Sequence, residues 1–411
     1  MPLATFEMRI AYIAPYQGPS LLERRPTTIN LSLAGNLKIE LIAELIQRYG
    51  HEVEILSQGE VVENRVKHYP AFSEGNLFNR TIPVHYASAF PVRFVNGWWS
   101  SRRLLDLFLK RHGESPFDVM ILYNLKLPQV ACARYAMDRL RLPVVVEYED
   151  DSFVDVVGRK ETSLKLRWQH ARAQAILDSA TGCIGVSPFL LSRFPAGVPS
   201  LMLRGVVSED IMKQALATKK NWVAYSGTLA HSKGLVPLIM AWRTLDLPGW
   251  ELHIAGDGSL ADELHKLAEN CPSIVFHGLL GRQENAQFLS SAKIGINPHE
   301  LSATPGNVFA FKIIEYLAAG AHVVTTPMGP LEPEIERGIT YMADNTPQTI
   351  AATLRRVIDE RLFERTADKT AQDAYGPAAV AKSLDRLLND VKAFSRKKTP
   401  VRAAATHANV T

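Results

Sequence analysis

Two segments in the second half of the chain combine glycine, lysine and carboxylate in an order that could handle an anionic ligand. The first is Tyr225-Ser226-Gly227-Thr228-Leu229-Ala230-His231-Ser232-Lys233-Gly234. A glycine at a strand end lets backbone approach a ligand, and Lys233 at the next helix start offers a point charge for a diphosphate. A surface lysine beside a turn glycine is an equally simple reading. The second segment runs from Asn297-Pro298 through Ser302-Ala303-Thr304-Pro305-Gly306 to Asn307-Val308-Phe309-Ala310-Phe311-Lys312-Ile313-Ile314-Glu315. A flexible loop entering a helix start presents free amides to phosphate. Glu315 stands among isoleucine and leucine, so its carboxylate needs a partner, and ribose hydroxyls would serve.

The first half offers carboxylates. The run Val144-Val145-Val146-Glu147-Tyr148 ends in Glu149-Asp150-Asp151. Glu149 or Asp150 would contact an acceptor or a donor sugar in one reading. In another, the cluster binds Mg²⁺ or Mn²⁺. A helix N-cap with solvated acids is the third. A further segment, Arg93 to Arg111, carries five cations and Asp106. Its Leu104, Leu105, Phe108 and Leu109 share one helical face, opposite Arg102, Arg103 and Lys110. With Trp98 and Trp99 beside it, that face suits an anionic membrane interface. A surface helix of the first domain with its stripe in the core is the simpler reading of the same pattern.

The elements that must position these residues alternate. Arg9–Ala14 is a short apolar run, Leu33–Tyr49 has helical spacing, and His51–Leu56 resumes the extended state. Further strands are expected at 118–122, 144–148, 182–186 and 200–203. After a polar helix-prone stretch, 208–220, strands follow at 222–225, 250–255, 274–276, 294–297 and 323–325, with helices between them. Such alternation predicts an α/β fold of parallel sheets covered by helices on both faces. Two doubly wound, Rossmann-like domains follow, 1–205 and 206–375, facing a cleft. A C-terminal helix over 376–394 has a return to the N-terminal domain as one path. The tail 395–411 is basic and poor in large apolar residues, the composition of a disordered segment.

Composition narrows the function. Among 411 residues, 46% are apolar and 21% charged, as in a soluble globular protein. Residues 1–205 carry 24 Lys+Arg against 20 Asp+Glu, and the rest carry 22 of each. That excess is too mild for a nucleic-acid binder. Cys132, Cys183 and Cys271 lack metal-ligand spacing and fit a reducing compartment. Met1 to Met8 lacks a signal-peptide pattern, so a cytoplasmic location is expected, with any membrane contact peripheral on the inner face.

Five pieces in register resemble the family 4 retaining glycosyltransferases of the GT-B, "glycosyl transferases group 1" type. They are Ser226-Gly227-Thr228-Leu229 with Lys233-Gly234; Ile254-Ala255-Gly256-Asp257-Gly258; Val275-Phe276-His277-Gly278; Ile294-Gly295-Ile296-Asn297-Pro298; and Lys312 to Val324. The resemblance covers residues 220–345. It implies that Lys233 binds the donor diphosphate, that Glu315 binds ribose, and that the amides of Asn307, Val308 and Phe309 meet phosphates and sugar. Gly227, Thr228 and Lys312 join this donor set, and Leu33-Ala34-Gly35-Asn36 resembles the loop facing the diphosphate across the cleft. Two positions depart. Thr228 stands where the family has arginine, and Asn307 where it has the first of two glutamates. Glu149-Asp150-Asp151 lies where many relatives have a histidine. The resemblance implies transfer of a sugar from a nucleoside diphosphate sugar, without a bound metal or other cofactor, to a glycan or lipid-linked saccharide of a cell envelope or exopolysaccharide. Thr228 and Asn307 motivate the alternative, a non-catalytic nucleotide-sugar-binding partner subunit on the same fold.

Overall fold

The computed structural model describes residues 7–25, 33–59, 61, 66–75, 82–92, 95–153, 163–214, 218–301, 306–329 and 331–398. The expectations for Met1–Phe6, Arg93, Phe94, Ser302–Pro305 and 399–411 lie outside these residues, as do the side chains of Leu33 and Ala34.

Two sheets form. The first holds β1 Arg9–Ile13, β2 Glu52–Ser57, β3 Phe72–Glu74, β4 Val84–Tyr86, β5 Val119–Tyr123, β6 Val144–Tyr148, β7 Gly182–Gly185 and β8 Ser200–Met202, in the order β3-β4-β2-β1-β5-β6-β7-β8. All its pairings are parallel except β3 with β4. The second holds β9 Lys220–Ser226, β10 Glu251–Ala255, β11 Ile274–Gly278, β12 Ala292–Asn297, β13 His322–Thr325 and β14 Ile339–Tyr341. Its order is β11-β10-β9-β12-β13-β14, parallel throughout. Every residue of β1, β6, β7 and β13 is buried, as strands covered on both faces must be. Chain order reverses beside β1 and β9, so the loops at those strand ends open the crevices where α/β sheets bind ligands.

Three strands escaped the apolar pattern. β3, β4 and β14 are three residues each, and β3 is an antiparallel edge with little burial to mark it. The helices Pro347–Asp359 and Asp368–Tyr375 were likewise not anticipated.

The last helix, Pro377–Lys398, returns to the first sheet. Val380, Leu384, Leu387, Leu388 and Val391 join the cluster of Ile42, Ile46 and Val145. It continues four residues past the expected end, so Ser395–Lys398 are helical, which corrects that part of the disorder expectation. A return of this kind ties the chain end to the other domain, with burial of one apolar stripe as its driving force.

The helix Asn96–Glu114 settles the reading of the basic segment. Leu104 and Phe108 are buried, and Leu105 and Leu109 pack on the same core. The apolar face is therefore spent inward, which is the core reading of its stripe. Arg102 and Arg103 bracket Asp106 at 3.1 and 3.2 Å, and Arg111 pairs with Glu54 at 2.9 Å. Trp98 alone of the paired tryptophans is largely exposed, at 67%. No helix among the described residues is long and apolar enough to cross a membrane.

Candidate active site

On the C-terminal domain, β9 delivers Ser226, Gly227 and Thr228 to the crevice. Gly227 has φ +142°, and a Cβ there would lie 2.7 Å from the Nζ of Lys312. Glycine is what lets that ammonium sit against the loop. A 3₁₀ turn, His231–Lys233, follows and ends at Gly234, with φ +70°. A Cβ on Gly234 would lie 1.8 Å from the Pro298 carbonyl oxygen, so the Lys233 turn docks directly on the end of β12.

Two lysines meet at this point. The Nζ of Lys233 donates to Nε2 of His299 at 3.0 Å, while Nδ1 of His299 is 2.8 Å from the Glu300 carbonyl. This pattern selects neutral imidazole with its proton on Nδ1. Burial, then the charge of Lys233, lowers the His299 pKa. Burial also lowers Lys233. The Nζ of Lys312 stands 3.8 Å above the Tyr225 ring, and no ion pair holds it among the described residues. Burial and the neighbouring charge of Lys233 push Lys312 down to about 7, against the opposing pull of Glu315. Glu315, on the helix Lys312–Ala318, is pushed up to about 7 by burial, with Lys312 and Arg282 holding it back. The site thus concentrates cationic charge that the protein itself does not balance, with a carboxylate one turn away.

Of the remaining donor residues, Thr228 is exposed and its carbonyl accepts from the Tyr225 hydroxyl at 2.9 Å. The side chains of Val308 and Phe309 pack on hydrophobic clusters, Phe309 on those of both domains. Only their backbone remains for a ligand, and among the described residues the amide N–H groups of Asn307, Val308 and Phe309 have no hydrogen-bond partner. The side chain of Asn307 is not directed to a donor. Its Oδ1 accepts from the Asp151 amide at 2.9 Å, and its Nδ2 donates to the Asp151 carbonyl at 3.2 Å. The donor contact expected of Asn307 runs through its backbone amide, which these side-chain bonds do not engage.

The N-terminal wall is built at the ends of β1, β5 and β6. A cavity of ≈ 290 Å³ lies there, lined by Gly35, Asn36, Tyr123, Tyr148, Asp150 and Phe153 among others. The donor lysines are not part of its lining. Asn36 exchanges two hydrogen bonds with the backbone of Gln17, at 3.2 and 2.8 Å, and so fixes the loop after β1 rather than reaching across the cleft. Asp150 opens on the cavity and accepts from Asn124 Nδ2 at 3.1 Å. Shielding by the cavity walls raises its carboxyl. Glu149 turns away and pairs with Lys38, which also lies 3.6 Å from the fully buried Glu147. Asp151 faces Arg193 at 3.1 Å. The three acids therefore point to three partners and do not converge. Among the described residues, no cation-binding cluster comes together here.

Sequence reasoning missed His299 and Arg282. His299 follows directly on Asn297-Pro298 at the end of β12, and that strand-end position was the available signal. Arg282 lies at the first position of the helix Arg282–Ser291 and lowers the pKa of both Glu315 and Glu40, one on each side of the cleft. Nothing local in the sequence marks it.

Two facing doubly wound domains with donor-type residues on the C-terminal one define the GT-B glycosyltransferase class. Residues 207–376 match the family described as "Glycosyl transferases group 1". The chain is thus a glycosyltransferase, and the family match covers its C-terminal domain. Solved structures share the fold. A sucrose-phosphate synthase from Thermosynechococcus elongatus superposes with a TM-score of 0.68 at 14% identity, over 94% of this chain and 100% of that one. HepE from Anabaena in complex with UDP-glucose gives 0.61 at 15%, over 93% and 100%. The catalytic domain of starch synthase IV from Arabidopsis thaliana, bound to ADP and acarbose, gives 0.61 at 12%, over 94% and 99%. No curated protein matches the sequence.

Proposed function

We propose that this glycosyltransferase moves a sugar from a nucleoside diphosphate sugar to a hydroxyl of a glycan or lipid-linked saccharide, with retention at the anomeric carbon, in cell-envelope or exopolysaccharide assembly. The observation that carries the reading is the unbalanced pair Lys233 and Lys312 beside Glu315 at the ends of β9 and β12. A diphosphate supplies the anion that these lysines lack, and ribose hydroxyls supply donors to Glu315. Proteins of the same fold hold UDP, UDP-glucose and ADP, which is the ligand chemistry the cluster suits.

In the reaction, the bond from the anomeric carbon to the β-phosphate oxygen breaks as that from the carbon to the acceptor oxygen forms. The acceptor proton passes to the departing phosphate on the same face. Lys233 and Lys312 stabilise the charge that builds on the leaving group. Asp150 hydrogen-bonds acceptor hydroxyls in the cavity. No step in this scheme needs a metal ion. Any contact with an anionic membrane would have to rest on Trp98 and nearby cations, because the apolar face of Asn96–Glu114 is spent in the core.

The test is donor turnover, with UDP-glucose and ADP-glucose as probes, in EDTA. Proton NMR should show the α-anomer released first, at a rate unaffected by chelation. First release of the β-anomer would overturn retention. Loss of activity in EDTA, restored by Mn²⁺ or Mg²⁺, would overturn the metal-free scheme and return Glu149, Asp150 and Asp151 to consideration as ligands.

A further inference from the structure

We infer that Asn307 is a positioning residue of the acceptor pocket, holding its wall in place from the opposite domain. This rests on reading the cavity at β1, β5 and β6 as the acceptor site. A primary carboxamide has one acceptor oxygen and one donor nitrogen on the same carbon. Asn307 uses both on the backbone of a single residue, accepting from the Asp151 N–H at 2.9 Å and donating to its carbonyl at 3.2 Å. The pair imitates one rung of a sheet across the domain boundary. Asp151 is 2% exposed and Asn307 5%, so water does not compete for these groups. Aspartate or glutamate at 307 would accept from the amide but could not donate to the carbonyl.

The rung fixes what surrounds it. The Asp151 carboxylate accepts from the Phe153 amide at 3.0 Å and faces Arg193 at 3.1 Å, so the turn is held on separate sides by its own domain and by the other. Asp150, Ser152 and Phe153, its immediate neighbours, line the cavity. Two contacts reinforce the seam: the Ser187 hydroxyl donates to the Gly306 carbonyl, and Phe309 packs on both domain cores. The acceptor wall is therefore completed by the donor domain, and it takes its shape only when the two domains are closed on each other. Acceptor binding and closure are coupled through one side chain that touches neither substrate.

The experiment is hydrogen-exchange mass spectrometry on the full chain, comparing wild type with Asn307→Ala and Asn307→Asp, alongside calorimetric titration of UDP. The peptide spanning residues 149–153 should exchange about tenfold faster in Asn307→Ala, a loss set by two buried hydrogen bonds. Asn307→Asp keeps the accepting half but sets a carboxylate oxygen against the Asp151 carbonyl, so it should exchange at least as fast as Asn307→Ala. Failure of a side chain of the same shape is not expected where residue 307 merely fills space, and full protection in Asn307→Asp would overturn the inference. Protection of β9 should not change, and UDP affinity should stay within about threefold. Unchanged protection of 149–153 in Asn307→Ala would overturn the inference. So would a tenfold loss of UDP affinity with protection intact, which would make Asn307 a donor contact. Failure of UDP to bind even the wild type would instead contradict the donor-site reading, and the exchange comparison would still decide this one.

Discussion

Each domain holds a lysine away from bulk solvent, and the two are treated in opposite ways. Lys38, 3% exposed, reaches Glu149 and lies 3.6 Å from Glu147, with the Leu203 carbonyl at 3.4 Å. The Tyr12 hydroxyl donates to the other oxygen of Glu147. Lys312 has an aromatic face and a second lysine for company. A charge that the protein neutralises itself is architecture, because removing one member leaves the others stranded. A charge left unbalanced at a strand end is held ready for a ligand that brings the opposite sign. The N-terminal domain spends these buried ions on its own frame, whereas Lys233 and Lys312 have no counter-ion among the described residues.

The sharpest way to break this comparison is Lys38→Ala. Two carboxylates, one fully buried, would lose their cation, and a broken buried pair costs about 3–5 kcal/mol of stability. Urea unfolding should show that loss, while UDP affinity of the folded fraction stays within about threefold. A variant of normal stability that no longer binds UDP would invert the assignment.

Lys233→Ala sharpens the other side. Charge builds on the diphosphate as the sugar departs, so kcat should fall about 10²–10³-fold, with a smaller rise in donor KM. Steady-state kinetics with UDP-glucose separates the two. A raised KM at constant kcat would reduce Lys233 to a binding contact.

The same contrast explains what the sequence disclosed. The proposed donor site was legible because its parts are local: strand, glycine loop and lysine are consecutive from Tyr225 to Gly234, and Lys312 and Glu315 share one short helix. The parallel strands were legible for a similar reason, since strands buried on both faces read as continuous apolar runs. The proposed acceptor pocket is assembled from distant loops. Lys38 and Glu149 are 111 residues apart, and Asn307 and Asp151 are 156 apart. Spacing cannot reveal such pairs. Glu149 and Asp150 were singled out together, yet their side chains part at the strand end, one to Lys38 and one to the cavity. The amphipathic helix at Asn96–Glu114 was ambiguous for another reason: a core stripe and a membrane face have the same period, and only packing distinguishes them.

The central claim is that Lys233, Lys312 and Glu315 form a nucleoside diphosphate site, and calorimetry of UDP and ADP tests it most directly. Lys312 has its pKa lowered to about 7 in the free protein, and a bound diphosphate must raise it again. Binding above pH 7 therefore takes up a proton, and affinity falls as pH rises, by at most about tenfold per unit for one linked proton. The account predicts saturable binding by at least one of the two nucleotides in EDTA, proton uptake at pH 8, and affinity weakened about tenfold to hundredfold in Glu315→Ala. Absence of binding by both nucleotides, or binding that neither takes up a proton nor responds to Glu315→Ala, would contradict it.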